Sequence, residues 1–143
     1  MTEQVAQEAG IQAVIYGLPL VMMDITMKNF TNTPPPRGAP ANQFVHERVY
    51  PPASFKQVVR LNVDTLYSSA FLDLSKEPIV MTVPDTHGRY YLLPLMDAWT
   101  NVFASPGTRT RGDAATSFLI AGPDWTGIAP VGSQLLKSPT NLV

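Results

Sequence analysis

A proline-rich segment divides this chain into two parts that must fold differently. Residues 31–44, TNTPPPRGAPANQF, contain four prolines and show no hydrophobic periodicity. Because proline fixes φ and lacks a backbone N–H, neither a helix nor a central strand continues through such a segment. We expect polyproline II or irregular coil here, or else an arm packed across the domain between Phe30 and Phe44.

The residues before the prolines have the character of a helix. Thr2 is a suitable N-cap, and apolar residues recur at roughly helical spacing over positions 5–21. Pro19 is expected to end or kink this helix near Tyr16, because its ring clashes with the preceding turn. A second helical piece, LVMMDITMKNF, is expected to follow. Residues 1–30 are therefore predicted to form a helical arm.

Composition excludes several classes of protein. Ten Lys+Arg against eleven Asp+Glu give a net charge of -1, and no basic block is present, so we expect no nucleic-acid partner. The absence of cysteine excludes a disulfide framework and a cysteine zinc site. The first residues lack the pattern of a signal peptide. The stretch IQAVIYGLPLVMM is interrupted and short for a bilayer, so we expect no membrane span.

From residue 62 onwards the pattern changes to strands. DTLYSSAFLDL is dense enough in apolar residues for a strand packed on both faces. DTHG, at Asp85–Gly88, has the form of a turn with glycine in the left-handed position, which predicts a hairpin between IVMTV and RYYLLPLMD. Pro94 places that second strand at an edge or a bulge. AWTNVFA, TSFLIAG and SQLLKS are predicted to complete a meander.

The predicted architecture is a single α+β domain over residues 1–143. Its parts are the helical arm, a Pro-rich linker with a short element at Ser54–Val59 (residues 31–61), and a mainly antiparallel β meander (residues 62–143). The meander is expected to form a curled sheet or partial barrel. Strands do not alternate with helices, which argues against a doubly wound nucleotide-binding fold.

The sequence contains no GxGxxG, P-loop or GxSxG motif, so it leaves open whether the protein is an enzyme. Its two histidines, His46 and His87, are too few for a typical zinc or iron site, and we expect no metal and no cofactor.

Charged and aromatic residues in the strand region allow two interpretations. Aspartate is disfavoured in strands, and arginine can hold a carboxylate through two hydrogen bonds. In one interpretation the aspartates pair with arginines or cap tight turns. In the other they line a pocket for a small anionic or hydroxylated ligand, with an aspartate as general base. The candidate catalytic residues are Asp64, Arg89, Asp97 and Arg109, and the candidate ligand-binding residues are Tyr67, Tyr91, Trp99 and Asn101.

Several long segments resemble the bacterial domain family DUF1254: NVDTLYSSAFLDLSKEPIVMTVP, GRYYLLPLMDAWTNVFASPGTRTRGD, GPDWTG and SPTNLV. The resemblance implies a β-rich domain with helical elements, often followed by a jelly-roll-like DUF1214 domain, and suggests the periplasm or cell envelope. It implies no catalytic role. The matching positions are Asn62, Asp64, Thr65, Tyr67, Arg89, Tyr90, Tyr91, Asp97, Trp99, Asn101, Arg109 and Gly112. Arg111 departs from the pattern, because similar proteins often have threonine there.

Proteins with this resemblance continue beyond SPTNLV, so we expect a fragment or a truncated member. A C-terminal partner domain or another copy is expected to cover an open sheet edge. The predicted function is a structural or interaction module of a larger envelope-associated protein. The alternative is a small-molecule-binding or hydrolytic domain that uses the Asp/Arg/aromatic pocket.

Overall fold

The computed structural model describes residues 2–56, 60 and 62–143, and it confirms the α+β prediction of one N-terminal helix followed by strands. The predicted short element Ser54–Val59 falls partly on residues 57–59, outside the described residues. The elements in chain order are α1 (Glu3–Asn32), β1 (Val45–His46), β2 (Ser68–Ser69), β3 (Ile79–Val83), β4 (Leu95–Met96), β5 (Val102–Ala104), α2 (Thr108–Arg111), β6 (Thr116–Ala121) and β7 (Ser133–Lys137).

The strands form three small sheets. The largest has the order β3-β6-β7, in which β6 pairs antiparallel with β3 and parallel with β7. β1 pairs with β2 and β4 with β5, both antiparallel. In the part of the chain that is described, none of these sheets closes on itself, which fits a curled sheet. The parallel pairing of β6 with β7 departs from the predicted meander.

The predicted hairpin between IVMTV and RYYLLPLMD is wrong. β3 pairs instead with β6, with Ile79 opposite Ile120 and Val83 opposite Thr116. The turn itself is confirmed, since Gly88 has a φ of 78°. The chain that leaves this turn does not return along β3, and of the predicted return strand only β4 is a strand in the structure.

Local hydrogen bonds explain why the Asp85–Gly88 turn does not open into a ladder. The Thr86 hydroxyl donates to the Arg89 carbonyl (2.8 Å), and the Arg89 N–H donates to the Thr86 carbonyl (3.1 Å). Asp113 accepts two further hydrogen bonds from this turn: its carbonyl accepts the Thr86 N–H, and its carboxylate accepts the Gly88 N–H. The turn is therefore fastened to the residues before β6.

The long strand predicted for DTLYSSAFLDL is also wrong in extent, because only β2 is a strand there. Upstream of β2, the Asn62 side chain accepts the backbone N–H groups of Asp64 and Thr65, which favours a turn over a ladder. Downstream, the N–H groups of Leu72 and Leu74 donate to carbonyls near the end of the chain, at 2.7 and 2.8 Å.

The hydrophobic core is built on β6. Phe118 and Ile120 in this strand are fully buried, and Met81 and Val83 of β3 pack with them together with Leu95 of β4. β6 supplies the most deeply buried large side chains because it is the central strand of its sheet, with neighbours on both sides.

α1 runs through Pro19 to Asn32, so the prediction that the helix ends near Tyr16 is wrong, and the alternative of a kink there stays a prediction. Proline inside a helix costs about 3 kcal/mol. Contacts on both sides of it offset this cost: the Tyr16 ring lies 4.7 Å from the Trp99 ring, and Met23 is buried. Tertiary packing thus overrides the local signal. Thr2 is the N-cap residue, as predicted, although its side chain makes no capping hydrogen bond.

The proline-rich segment has features of both predicted forms: residues 33–44 are in no helix or strand, and part of the segment packs against the strand region. Phe30 at its start packs edge-on against Phe71, with ring centroids 5.4 Å apart. Gly38 and Ala39 are buried, and the Asn42 N–H donates to the Phe71 carbonyl at 2.8 Å. This arm fastens the C-terminal end of α1 to the strand region.

Replacing Gly38 with alanine is expected to lower the melting temperature. A Cβ atom there would collide with the carbonyl oxygens of Phe30 and Thr33, which are backbone atoms and cannot swing away. Such overpacking costs about 1–3 kcal/mol, which corresponds to roughly 5–10 °C in a thermal melt. Gly10→Ala is the matched control, because the added Cβ meets nothing within 4 Å in the middle of a helix. Equal melting temperatures for the two variants would contradict the packing described here.

Candidate functional site

The segment MDAWTN forms a turn around one buried carboxylate. Asp97 is 4% exposed. Its Oδ1 accepts the backbone N–H groups of Trp99 and Asn101, both at 2.9 Å, and its Oδ2 accepts the Asn101 side chain at 3.4 Å. Thr100 takes a positive φ of 68°, and its N–H donates to the Asp97 carbonyl. Asp97 therefore caps the tight connection between β4 and β5.

This turn presents Trp99 to the long helix. The Trp99 ring packs at 51° against Tyr16 of α1, within contact distance. A second hydrogen bond steadies the same turn, since the Ala98 N–H donates to the Thr140 hydroxyl at 2.9 Å. Of the predicted site residues, the structure thus brings Asp97, Trp99 and Asn101 together, and it uses them to hold α1 against the strand region.

Asp64 and Tyr67 belong to a different, exposed network around Asn62. The Asn62 amide donates to the Tyr67 hydroxyl at 2.8 Å and to the Thr65 hydroxyl at 2.7 Å. The Asp64 carbonyl accepts the Tyr50 hydroxyl at 3.3 Å. The resemblance singled out Asn62 and Thr65, whereas the ligand-binding prediction named only Tyr67 in this network. Its residues bond mainly to one another, as in a turn.

Arg89 and Arg109 are both exposed. The Arg89 Nε donates to the Thr86 carbonyl at 3.0 Å, within its own turn. Arg109 lies in α2, and the adjacent Thr108 exchanges hydrogen bonds with the backbone of Tyr91. The Tyr91 hydroxyl is buried and has no hydrogen-bond partner among the described residues.

The four predicted catalytic residues are not joined by direct contacts. Among residues 2–56, 60 and 62–143, no hydrogen bond or ion pair links Asp64, Arg89, Asp97 and Arg109 to one another. Nor does any group of three or more His, Cys, Asp or Glu in this part of the chain have the arrangement of a metal site. Catalytic or ligand-binding roles for these residues stay predictions.

Asp73 has a pKa below its ordinary value, chiefly because the Ser75 hydroxyl and then the Ser75 N–H donate to its carboxylate, with Lys76 nearby. A carboxylate with a lowered pKa adds stability above its unfolded-state pKa, and this contribution is lost as the pH falls through the folded-state value. The side chain is exposed, so this is the chemistry of a surface turn.

α1 is apolar on both of its faces. Towards the strand region it buries Met23 and partly buries Leu20, Met27 and Phe30. On the side away from Met23, seven large apolar side chains recur every three or four residues, each 47% to 66% exposed. We call this set the outward face of α1: Ile11, Val14, Ile15, Leu18, Val21, Met22 and Ile25.

The helical periodicity of α1 was recognised from the sequence, but its second apolar face was not. A helix that is apolar all round is buried in a larger core or lies in a membrane, whereas a surface helix carries a polar face. Residues 9–23 contain no charged side chain, and this uncharged run was the sequence signal that could have indicated a second apolar face. α1 is also long and apolar enough to cross a membrane by length and composition alone. The helix is longer than the stretch IQAVIYGLPLVMM because it continues through Pro19, and the absence of a membrane span stays a prediction.

Comparison with known proteins places this chain among proteins without an assigned function. The family model DUF1254, described as a protein of unknown function, matches residues 41–143. The crystal structure of the VPA0106 protein from Vibrio parahaemolyticus is similar over 91% of this chain, with 30% sequence identity and a TM-score of 0.68. The match covers 29% of that protein, so this chain spans less than a third of its solved relative. None of the curated proteins matches.

Proposed function

Because this chain belongs to the DUF1254 family, whose function is unknown, we propose from its own geometry that it is a protein-interaction module. The outward face of α1 is its docking surface. One observation carries the proposal: seven large apolar side chains stand about half exposed along a single helix face. Such a continuous apolar stripe is typical of an interaction site, whereas isolated apolar residues on a surface are ordinary.

The energy available on this face is large. Fully burying one side chain of this size contributes roughly 1.5–3 kcal/mol relative to leaving it in water. Seven half-exposed side chains therefore supply enough apolar area to hold a partner after the costs of association are met. The stripe spans fourteen residue steps, from Ile11 to Ile25, or about 21 Å of helix axis.

The contacts of α1 favour a protein partner over a lipid bilayer. Tyr16 contacts Trp99, Phe30 contacts Phe71, and Met23 between them is buried, so the anchored part of the helix extends over about 21 Å. Only residues 3–15 extend beyond these contacts, about 20 Å of helix against the roughly 30 Å of a hydrocarbon core. Insertion of the whole of α1 into a bilayer would move the strand region into lipid or break these contacts.

The rest of the domain supports the docking surface by holding α1 in place. The Asp97 turn positions Trp99 against Tyr16 in the middle of α1. The C-terminal end of α1 is held where Phe30, at the start of the proline-rich arm, packs against Phe71. The part of α1 from Tyr16 to Phe30 is held by these contacts and loses little conformational entropy on binding, so more of its apolar contact energy appears as affinity. This assigns the polar residues of MDAWTN a positioning role in our proposal.

The remaining partner predictions extend this proposal. A larger envelope-associated protein, with a C-terminal partner domain or another copy over the edges of the β3-β6-β7 sheet, is consistent with an interaction module. β3 and β7 are the outer strands of that sheet. The alternative of a small-molecule-binding or hydrolytic domain has less support, because three of the residues it needs, Tyr67, Arg89 and Asp97, form hydrogen bonds within their local turns.

Thiol labelling tests the docking surface directly, because the chain has no cysteine of its own. Leu18→Cys places a single thiol in the middle of the outward face, and Gln12→Cys places one at an exposed position off that face. In cells that produce the protein, a membrane-permeant maleimide is expected to label Leu18→Cys at least tenfold more slowly than Gln12→Cys. Urea-denatured samples provide the reference at which both thiols react equally.

Two results would contradict the proposed function. Equal labelling of the two thiols in cells would mean that nothing covers the outward face. Slow labelling of Leu18→Cys together with recovery of the protein in carbonate-washed membranes would identify lipid, and not protein, as the cover. Slow labelling with the protein in the soluble fraction supports docking on a protein surface.

A further inference from the structure

We infer that the outward face of α1 pairs with the same face of a second copy of this chain, the two helices running antiparallel and crossing near Leu18. The inference rests on the proposed function and identifies the partner. Its first support is the symmetry of the stripe. The seven positions are separated by steps of 3, 1, 3, 3, 1 and 3 residues, the same from either end, with Leu18 at the centre.

Symmetric spacing is what a two-fold pair of antiparallel helices requires. In such an isologous contact the same patch meets itself, so every position must find its counterpart when the order is reversed. With Leu18 facing its own copy, Ile11 faces Ile25 of the second copy and Val14 faces Met22. Large apolar side chains thus meet large apolar side chains along the whole stripe. The seven-residue spacing of Ile11, Leu18 and Ile25 also suits packing against another helix.

Charge presents no obstacle to this contact. Glu8 and Asp24 are the nearest charged residues on either side, and the fifteen positions between them are uncharged. No ionised side chain would therefore be removed from water at the centre of the contact, which is where an unpaired charge costs most. The uncharged run and the apolar stripe share the same centre to within two residues.

The position of the strand region is compatible with this pairing of two α1 helices. The strand region contacts α1 through Tyr16 and Phe30, on the side that also buries Met23 and lies opposite the outward face, so two helices can meet while both strand regions stay outside the contact. The antiparallel order has a further advantage. Residues 3–15 make few contacts with their own domain and are all exposed. In the pair they lie along the anchored half of the partner helix, which gives them a support they otherwise lack.

The area is adequate for a stable dimer. Stable complexes bury about 800 Å² on each partner, and seven apolar side chains that are each about half exposed supply most of this area. The flanking uncharged positions of the helix supply more. A contact of this composition resembles a domain core cut in half, which is typical of homodimers.

Disulfide cross-linking tests the partner, the orientation and the register together. A disulfide needs Cα atoms about 4.4–6.8 Å apart. Purified Leu18→Cys is expected to form a covalent dimer under mild oxidation, since each thiol faces its own copy. Ile11→Cys alone is expected to stay uncross-linked, but a mixture of Ile11→Cys with Ile25→Cys is expected to form the mixed dimer. Light scattering on the unmodified chain is expected to give twice the monomer mass.

Polar variants separate this contact from other association. Leu18→Glu is expected to give the monomer mass, while Gln12→Glu adds the same charge off the stripe and keeps the dimer. Cross-linking of Ile11→Cys with itself would overturn the antiparallel order. A monomer at all concentrations, with no disulfide through Leu18→Cys, would overturn the pairing. If the same thiol is nevertheless protected in cells, α1 docks on a different protein, so the inference fails while the proposed function stands.

Discussion

Phe118→Ala is expected to lower the free energy of unfolding by about 3–5 kcal/mol, a large part of the 5–15 kcal/mol typical of a domain. Phe118 is fully buried in β6, and its ring packs among core residues from β3 and β4. Because β6 has a strand on each side, the surrounding backbone cannot collapse into the space that the ring leaves. Urea unfolding followed by far-UV circular dichroism measures the change.

The control for this prediction is Val80→Ala in β3. Val80 points away from the core and is 54% exposed, so its truncation is expected to change stability by about 0.5 kcal/mol or less. Val80 lies opposite Leu119, next to the position of Phe118 in the ladder, which keeps the comparison within one strand pair. Similar losses for the two variants would show that β6 is not the centre of the core.

Asp97→Ala is expected to cost about 1–3 kcal/mol, because it leaves the partly buried N–H groups of Trp99 and Asn101 without their acceptor. Asp97→Asn keeps an oxygen at this position and is expected to cost less. The second readout is Trp99 fluorescence in a Trp125→Phe background. We expect the alanine variant to shift the emission to longer wavelength, as the turn opens and the contact with Tyr16 is lost.

Asp64→Ala is the matched control for a charge effect alone, because Asp64 is exposed and its described hydrogen bonds involve its backbone. We expect it to change neither the stability nor the emission. If Asp97→Asn instead abolished binding of an anionic metabolite while leaving the unfolding free energy unchanged, Asp97 would be a ligand-binding group and its positioning role would be wrong.

The features that could be predicted from sequence are those that depend on neighbours along the chain. The N-terminal helix, the β6 and β7 strands, the left-handed Gly88 and the irregular course of the proline-rich segment all follow from local propensity and turn chemistry. The polar character of MDAWTN was also recognised. Its geometry was not, because the acceptor role of Asp97 depends on a tight turn that spacing alone does not specify.

The features that could not be predicted depend on distant residues. The pairing of β3 with β6 joins residues more than thirty positions apart. The local turn at Asp85–Gly88 instead predicted a hairpin between β3 and the segment that follows the turn. Pro19 was expected to end or kink the helix, and its continuation could not be foreseen because the supporting contact of Tyr16 with Trp99 comes from about eighty residues later. The outward face of α1 could not be recognised from the sequence for a similar reason. The helical periodicity of apolar residues does not show how many surfaces pack against the helix.

The connectivity of the β3-β6-β7 sheet bears on the order in which the chain folds. Forty-one positions separate Ile79 from its partner Ile120, and sixteen separate Ser117 from Ser133, so this sheet forms only after long segments have been closed into loops. A helix, by contrast, forms in about a microsecond. During synthesis α1 therefore emerges before the strand region and stays with both apolar faces in water until the strands pack against it, which makes it a segment that chaperones would bind and from which aggregation would start.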